Sequence, residues 1–244
     1  MPLVSFVVPT LRENALADAL TRLSERLVTF PRYTFEILLT DDSPESYKQA
    51  LDEAASAHNA RFAPQVTARR VDGPRRGKGG AIRAGVLASQ GELVFTMDAD
   101  LPVPLENIER FLSLFEAGND VMVAERPMSR NASEPVRFVA SRALFVLQWA
   151  VVFQAWLFAD TQCGFKAFRG SLARTLASRQ VVEGGMVDIE YLYAAVRSGA
   201  RIARVPVIPN PETRESRINV KRALWQDPVD LVRIKLGGLL GRYD

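Results

Sequence analysis

The sequence predicts an α/β fold: a single, mostly parallel central sheet with helices on both faces. Short β-branched runs alternate with helix-patterned segments through the first half of the chain, and this alternation is typical of parallel sheets. No shift in composition marks a boundary within the 244 residues, of which 48% are hydrophobic and 24% charged. We therefore expect one folded domain over residues 1–244.

The first half carries five predicted strands and four predicted helices. Each strand is a short run rich in β-branched and aromatic residues, and each helix has apolar residues at three- and four-residue spacing. Ligands of such sheets bind beyond the carboxyl ends of the strands, so the polar residues that follow each strand are candidate site residues. The predicted strands are residues 4–8, 36–40, 66–71, 93–97 and 121–123, and the predicted helices are residues 14–28, 45–57, 79–89 and 104–115.

The second half is less regular. Residues 126–135 form a polar loop, and residues 138–158 form a long apolar amphipathic helix with two tryptophans and four phenylalanines. Its most apolar part, residues 143–159, is at the short limit for crossing a bilayer, so we expect the helix to lie in a membrane interface or to pack on the sheet. A buried core helix remains an alternative, since periodicity does not separate a core face from a lipid-facing one. Residues 202–208 are a further predicted strand, and residues 221–240 a basic amphipathic C-terminal helix.

The basic residues occur in clusters, although the net charge is only +3 and the pI is near 9.2. Such clusters suit the phosphates of a nucleotide or a lipid headgroup. Nucleic acid is disfavoured as a partner, because no zinc-ligand spacing, aromatic RNA-binding signature or helix-turn-helix pattern accompanies the charge. The single cysteine, Cys163, excludes an internal disulfide, and no leader pattern opens the sequence, so a cytoplasmic location is expected. The single histidine, His58, is expected to be solvated on a surface helix. The clusters are Arg69-Arg70, Arg75-Arg76-Lys78, Arg214 with Arg217, and Lys221-Arg222.

Asp98 and Asp100 directly follow the apolar strand predicted at residues 93–97. Two carboxylates at the carboxyl end of a buried strand are costly unless a cation or several donors receive them. Hard oxygen ligands suit Mg²⁺ or Mn²⁺, which take one or two protein carboxylates and fill the other positions with waters and phosphate oxygens. A metal site that holds a diphosphate is therefore one interpretation of the pair, and an ordinary helix cap is the other.

A glycine-rich segment at residues 73–80 looks like a phosphate loop but does not meet the Walker pattern. Three residues separate Gly73 from Gly77 where four are needed, and Gly79 stands where Ser or Thr should bind Mg²⁺. An ATPase is therefore disfavoured. The glycines permit close backbone approach to a ligand at the start of a helix, and a plain turn is the alternative.

In their order along the chain, these segments resemble the family-2 glycosyltransferases of GT-A fold. Among these, the chain is most similar to the polyprenyl-phosphate sugar synthases, such as the dolichyl-phosphate glucose and mannose synthases. The resemblance covers nearly the whole chain. It is carried by Val7-Val8-Pro9-Thr10 with Glu13, Thr40-Asp41-Asp42-Ser43-Pro44, Gly77-Lys78-Gly79, Met97-Asp98-Ala99-Asp100, residues 160–166, Asp188-Ile189-Glu190, Val205-Pro206-Val207 and residues 214–218.

The resemblance implies a metal-dependent, inverting transferase that moves a hexose from a nucleotide sugar, of the UDP-glucose or GDP-mannose type, to a polyprenyl phosphate. The enzyme would act as a peripheral protein on the cytoplasmic face of a membrane, with Mg²⁺ or Mn²⁺ held by Asp98 and Asp100. Residues 1–125 would bind the nucleotide sugar and residues 126–244 the acceptor. The implied nucleotide-sugar contacts are Pro9, Leu11, Glu13, Asp41, Asp42, Lys78, Asp98, Ala99, Asp100, Arg214 and Arg217.

The resemblance also implies how the acceptor reacts. Asp98, Asp100 and Arg126 would be catalytic, while Arg126, Arg137 and Ser141 would face the acceptor phosphate. A phosphate monoester is largely a dianion at neutral pH, so it can attack a sugar without a general base. The acidic residues of the Asp188-Ile189-Glu190 segment either orient sugar hydroxyls or act as favourable charges at the start of a helix.

Two departures from the family pattern bear on the site, and two other functions stay open. Pro102 follows Leu101 and offers neither a side-chain ligand nor an amide proton, which puts a third protein contact to the metal in question. Asp42 runs directly into Ser43, so the choice between Asp41 and Asp42 as the base contact is left open. The other functions are a soluble family-2 glycosyltransferase with a small or saccharide acceptor, and a nonenzymatic nucleotide-sugar-binding protein or peripheral membrane adaptor.

Overall fold

The computed structural model describes residues 1–10, 16–41, 45–127, 146–153, 157–210 and 220–244. Within the described residues up to 127 the strands and helices alternate as the sequence predicts, and the helices at Gly170–Arg179 and Val187–Arg197 were not predicted. The strands are β1 (Leu3–Thr10), β2 (Thr34–Asp41), β3 (Val66–Asp72), β4 (Leu93–Thr96), β5 (Val121–Glu125), β6 (Lys166–Arg169) and β7 (Ile202–Pro206). The helices are α1 (Leu16–Leu27), α2 (Glu45–Phe62), α3 (Lys78–Ala88), α4 (Asn107–Glu116), α5 (Gly170–Arg179), α6 (Val187–Arg197) and α7 (Val220–Leu239), and a π-helical turn covers Trp149–Phe153.

All the described strands join one sheet in the order β3-β2-β1-β4-β6-β5-β7. Every pairing is parallel except those of β6, which runs antiparallel to both β4 and β5. The predicted mostly parallel sheet is therefore confirmed. Strand β6 was not predicted, because its four residues, Lys-Ala-Phe-Arg, include no β-branched residue and are charged at both ends. Since β6 is reversed, its first residue lies at the same edge of the sheet as the carboxyl ends of its neighbours.

The sheet is buried on both faces, which explains why its central strands are continuous apolar runs rather than alternating ones. Phe6 of β1 and Phe95 of β4 stack with ring centroids 4.5 Å apart, and Phe111 and Phe165 contact Phe95 from one face. On the same face α1 buries an apolar stripe at helical spacing. The stripe consists of Leu16, Ala19, Leu20, Leu23 and Leu27.

The structure corrects the environment of His58. The residue lies on α2 as predicted, but it is buried, and its Nε2 lies 2.6 Å from the hydroxyl oxygen of Ser24 on α1. Burial lowers the pKa of the imidazole below its ordinary value. Leu51, Ala55, His58 and Phe62 are spaced four, three and four residues apart, so the histidine continues the inner face of the helix.

The long apolar helix predicted at residues 138–158 is described only in part. Residues 146–148 are helical and lead into the π-helical turn, while residues 138–145 and 154–156 lie outside the described residues. The described part has two faces: Val152 is buried and Lys235 of α7 donates to its carbonyl, whereas Val146 and Trp149 are exposed. No helix in the described ranges combines the length and the apolar character needed to cross a bilayer.

Candidate active site

The register of the sheet brings three separate segments together at one edge. Thr96 of β4 pairs with Lys166 of β6, which in turn pairs with Val123 of β5. Asp98 lies two residues after Thr96, Gly164 two residues before Lys166, and Arg126 three residues after Val123. The pairing therefore places these three residues next to one another at the edge of the sheet. The structure thus brings the predicted acidic pair and the predicted arginine to one edge.

A tight turn after β4 presents the acidic pair. The Leu101 amide donates to the Asp98 carbonyl at 3.2 Å, and Leu101 has a left-handed backbone with φ of 49°, which is strained for a branched side chain. Burial of the Leu101 side chain and a hydrogen bond from the Asn210 side chain to its carbonyl, at 2.9 Å, hold this conformation. The side chain of Asp98 is about one-third exposed, and Asp100 lies at the surface.

Gly164 packs directly against the Asp98 carboxylate. A Cβ atom at this position would lie 2.3 Å from Asp98 Oδ2, so no larger residue fits without displacing the carboxylate. The glycine is fixed because its neighbours Cys163 and Phe165 are buried in the core, and Thr96 donates a hydrogen bond to its carbonyl at 3.3 Å. Gly164 is therefore a site residue that the motif contains and whose role only the fold reveals.

Lys78, the first residue of α3, contacts two carboxylates. Its Nζ lies 2.9 Å from Asp98 Oδ1 and 3.2 Å from Asp188 Oδ2. Asp188 also accepts from the buried ammonium of Lys166 at 2.7 Å. Burial by itself would lower the pKa of Lys78, but the charges of Asp188 and Asp98 raise it above its ordinary value. For Asp188 the directions are reversed: burial by itself would raise its pKa, but the ammonium groups of Lys166 and Lys78 hold the pKa below its ordinary value.

Glu190 lies in the first turn of α6 and has a structural role. Its carboxylate accepts from the backbone amides of Val181 and Val182 at 2.7 and 2.9 Å, and from the hydroxyl of Tyr243 at 2.8 Å. Burial raises the pKa of Glu190 above its ordinary value. The sequence left two roles open for this segment: orienting sugar hydroxyls, or acting as a favourable charge at the start of a helix. The carboxylate of Glu190 is instead occupied by groups of the protein itself.

Arg126 forms a two-pronged ion pair with Asp160. Its Nε lies 2.5 Å from Oδ2 and its Nη2 lies 3.2 Å from Oδ1, a geometry that matches the planar guanidinium to the carboxylate. The Gln162 amide also donates to Oδ1 at 3.0 Å. Burial by itself would raise the pKa of Asp160, but the hydrogen bonds and charge of Arg126 hold it below its ordinary value. The sequence placed Asp160 in a motif but did not identify it as the partner of Arg126.

The glycine-rich segment was expected to let a ligand approach its backbone, but the backbone near Glu183 lies there instead. The amides of Gly79 and Gly80 both donate to the carbonyl of Glu183, at 2.9 and 3.3 Å, so another backbone segment occupies the start of α3. A Cβ at Gly79 would lie 2.7 Å from the carbonyl oxygen of Val182, which explains the need for glycine. The prediction that these glycines admit a ligand is therefore wrong for the amides of Gly79 and Gly80.

The other predicted contacts divide into two groups. Pro9 and Ala99 lie at the same edge, since Pro9 is the penultimate residue of β1, beside Thr40 of β2, and Ala99 is in the acidic turn. Asp41 ends β2, and only its backbone is described. The second group lies outside the described residues and consists of Leu11, Glu13, Asp42, Arg137, Ser141, Arg214 and Arg217.

The donor set of the acidic turn fits a magnesium-type cation. Among the residues that the structure describes, no group of three or more histidine, cysteine or acidic side chains is arranged to hold a metal. Asp98 and Asp100 supply two carboxylates at an open edge, and Mg²⁺ or Mn²⁺ takes one or two protein carboxylates when phosphate oxygens and waters complete its shell. The residues present therefore fit a cation that binds together with a phosphate-bearing ligand.

A mostly parallel sheet with one reversed strand, and an acidic turn at its carboxyl edge, is the architecture of a GT-A fold. Solved structures show the same fold: glucosyl-3-phosphoglycerate synthase from Mycobacterium tuberculosis, crystallised with Mn²⁺, UDP-glucose and phosphoglyceric acid, superposes with a TM-score of 0.66 at 18% identity, covering 99% of this chain and 80% of that one. Mannosyl-3-phosphoglycerate synthase from Rubrobacter xylanophilus gives a TM-score of 0.66 at 18% identity, covering 99% of this chain and 75% of that one.

The chain belongs to glycosyl transferase family 2, whose model matches residues 5–173. It is 28% identical over 246 residues to a dolichyl-phosphate beta-glucosyltransferase of Trichomonas vaginalis, covering 95% of this chain and 70% of the relative. It is 29% identical over 221 residues to the dolichyl-phosphate beta-glucosyltransferase of Homo sapiens, covering 84% of this chain and 66% of the relative. The chain thus spans about two thirds of the length of these relatives. An undecaprenyl-phosphate 4-deoxy-4-formamido-L-arabinose transferase of Pseudomonas fluorescens is 36% identical over 120 residues, 49% of this chain and 34% of that protein.

Proposed function

We propose that the chain transfers a hexose from a nucleotide sugar, of the UDP-glucose or GDP-mannose type, to a polyprenyl phosphate, with inversion at the anomeric carbon. The observation that carries the proposal is the edge at which Asp98 meets Lys78, with Arg126 close by, because such an arrangement suits two phosphate groups and a divalent cation. Relatives named for transfer to dolichyl and undecaprenyl phosphates support a polyprenyl phosphate as the acceptor.

Asp98 and Asp100 are the proposed holders of Mg²⁺ or Mn²⁺. When bound, the cation would neutralise the diphosphate that leaves with the nucleotide. Mn²⁺ and UDP-glucose in a crystallised structural neighbour support this choice. Lys78, beside Asp98, would contribute a fixed positive charge on the donor side.

The remaining donor contacts follow from the loops at the carboxyl ends of β1, β2 and β4. Pro9 and either Asp41 or Asp42 would bind the base and ribose, together with Leu11 and Glu13 of the loop after β1. Ala99 lies between the two acidic residues and would contact the nucleotide sugar. Arg214 and Arg217 would close over the donor.

Arg126 is the proposed contact to the acceptor phosphate, with Arg137 and Ser141. The guanidinium carries five N–H donors, of which Asp160 engages those on Nε and Nη2, so the ion pair orients the group without consuming its donor capacity. A phosphate monoester with a second pKa near 6 is largely dianionic at neutral pH and attacks the anomeric carbon directly. Catalysis would then consist of orienting two phosphates and stabilising the leaving group.

A lipid surface is the proposed docking partner of α7. Its exposed apolar residues are spaced four, three, four and three residues apart and so lie in one row along the helix. Arg233 and Arg242 are exposed on or just after the same helix, and their charge is complementary to anionic lipid headgroups, whereas the Lys235 ammonium donates to the carbonyl of Val152. This row supports peripheral attachment to a membrane surface, for which we propose the cytoplasmic face. Its members are Trp225, Val229, Val232, Leu236 and Leu239.

A donor screen tests the proposal. Purified chain is incubated with Mn²⁺ and each of UDP-glucose, GDP-mannose and other common sugar nucleotides. Each donor is tested in parallel with a short polyprenyl phosphate, with phosphoglycerate and with a saccharide, and the products are identified by mass. We expect one glycolipid whose mass equals that of the acceptor plus one hexose less one water, because the phosphate oxygen replaces the nucleoside diphosphate at the anomeric carbon. Transfer only to phosphoglycerate or a saccharide would favour a small-acceptor enzyme, and donor binding without consumption would favour a nonenzymatic role; either result contradicts the proposal.

A further inference from the structure

We propose that Asp188 is a positioning residue that acts on the acidic turn through Lys78. The inference rests on the proposed function, because it concerns how Asp98 receives a cation. It starts from the bridging geometry of the Lys78 ammonium, which lies between Asp98 and Asp188 and within 3.2 Å of both carboxylates.

Asp188 is held more firmly than either of the other two groups. Its side chain is 5% exposed, and its Oδ1 accepts from the Lys166 ammonium, which is 1% exposed and also donates to the carbonyl of Cys163. Asp188 lies in the first turn of α6, and Lys166 is the first residue of β6. The carboxylate is therefore fixed from the interior of the protein, while Lys78 and Asp98 reach the open edge.

The arrangement divides the charge of Lys78 between two acids. The two ammonium groups and two carboxylates sum to zero, so the group as a whole does not repel a divalent cation. Without the Asp188 charge, Lys78 would pair with Asp98 alone, and one uncompensated positive charge would remain beside the acidic turn. Both changes oppose binding of a cation at Asp98. Asp188 thus keeps Asp98 available and keeps Lys78 oriented towards the edge.

The geometry also separates this role from that of a base acting on substrate. Both oxygens of Asp188 accept from ammonium groups, and the side chain is buried beneath Lys78. Asp188 therefore acts through another residue and not on the reacting atoms.

The test measures Mn²⁺ affinity in the absence of acceptor, so that no turnover is involved. Mn²⁺ is titrated by isothermal calorimetry into the parent and into Asp188→Asn, each with saturating UDP or GDP, whichever the parent binds more tightly. We expect the Mn²⁺ dissociation constant to rise about 10- to 100-fold in the variant, the usual effect of removing a group that orients a ligand. Glu190→Gln is the matched control, since it alters a buried acid on the same helix that contacts none of the three groups, and its Mn²⁺ affinity should equal that of the parent.

A double-mutant cycle checks that the effect passes through Lys78. In a Lys78→Met background, Asp188→Asn should weaken Mn²⁺ binding by less than about threefold, because residues that act through one another are not additive. If the loss in this background equals the loss in the parent, the coupling through Lys78 is absent and the proposal is wrong.

Two further measurements keep the outcomes distinct. Asp188→Asn leaves Lys166 buried without its carboxylate, so thermal unfolding is recorded; should the variant not fold, Asp188→Asn with Lys166→Met removes the buried pair as a unit and takes its place. If the parent binds Mn²⁺ and nucleotide and the variant binds both with the same affinity, this inference is wrong and the proposed function is unaffected. A parent that binds no Mn²⁺ with either nucleotide overturns the metal assignment of the proposed function, and this inference with it.

Discussion

The Arg126 guanidinium is joined to the Asp160 carboxylate by two side-chain hydrogen bonds across 34 residues of sequence. Arg126 follows β5 and Asp160 lies a few residues before β6, so the pair connects the ends of two neighbouring antiparallel strands. The pair fixes the direction of the guanidinium at the edge where the acidic turn lies. Such preorientation reduces the entropy that binding a phosphate must overcome.

We expect Asp160→Asn to raise the KM for polyprenyl phosphate about tenfold, with little change in the KM for the donor. Without the Asp160 carboxylate, the guanidinium of Arg126 samples more orientations. Steady-state kinetics with each substrate varied in turn measures this. Asp120→Asn is the matched control, because it breaks a comparable pair with Arg169 at the opposite end of β5 and β6. A donor KM that rises as much as the acceptor KM would contradict an acceptor-side role for Arg126.

Gly164→Ala should abolish most of the activity while leaving the protein folded. The added Cβ would lie 2.3 Å from Asp98 Oδ2, so the carboxylate must move, and displacing a cation ligand lowers turnover by about 100-fold. Turnover number and thermal unfolding are the measurements. Gly185→Ala is the control, because a Cβ there meets nothing within 4 Å. Full activity in Gly164→Ala would show that Asp98 can shift without consequence.

Replacement of Asp100 by alanine should reduce turnover at least about 100-fold at any Mn²⁺ concentration that the protein tolerates, because one of two protein carboxylates for the cation is lost. The assay is glycolipid formation across a Mn²⁺ series. Asp72→Ala serves as control, since Asp72 also ends a strand of the sheet but pairs with Lys48. Unchanged turnover in Asp100→Ala would remove Asp100 from the metal assignment.

The buried His58 should make the free energy of unfolding fall as the pH falls from about 7 towards 5. Its pKa is lowered in the folded state, so below the unfolded value near 6.5 the unfolded chain binds more protons and gains stability relative to the fold. Urea unfolding at several pH values measures the slope, and His58→Gln should flatten it. Asp227, whose pKa burial and Asp230 raise to about 6, titrates in the same range with the opposite sign, so the comparison must be between parent and variant. Equal slopes in the two proteins would contradict this account.

Replacing two exposed apolar residues of the α7 row should weaken attachment to lipid. We expect Trp225→Ser with Leu236→Ser to lower partitioning onto anionic vesicles by about 100-fold or more, since each apolar side chain that enters the interface contributes about 1.5 kcal/mol or more. Vesicle flotation measures the bound fraction. Leu87→Ser removes an exposed leucine on α3, away from the row, and should bind like the parent. Equal flotation of all three proteins would remove α7 as the docking surface.

Local patterns carried most of the fold prediction. The predicted strand at residues 93–97 and the helix at residues 79–89 match β4 and α3 closely, because apolar periodicity is a property of a short stretch of chain. His58 shows the limit of this approach: its neighbours Leu51 and Ala55 define the buried face of α2, but a histidine on that face gives no apolar signal. Strand β6 shows another limit, since only pairing with β4 and β5 on both sides identifies four residues as a strand.

The acidic turn and its chemistry could be predicted from residues 93–100 alone, because an apolar strand followed by two carboxylates is a local pattern that favours a cation. The groups that surround the turn belong to distant parts of the chain, and their contacts depend on the strand order and on the reversed direction of β6. Only the folded protein places Lys78, Gly164 and Asp188 around Asp98, since electrostatic and steric interactions act over a few ångströms of space and not along the sequence.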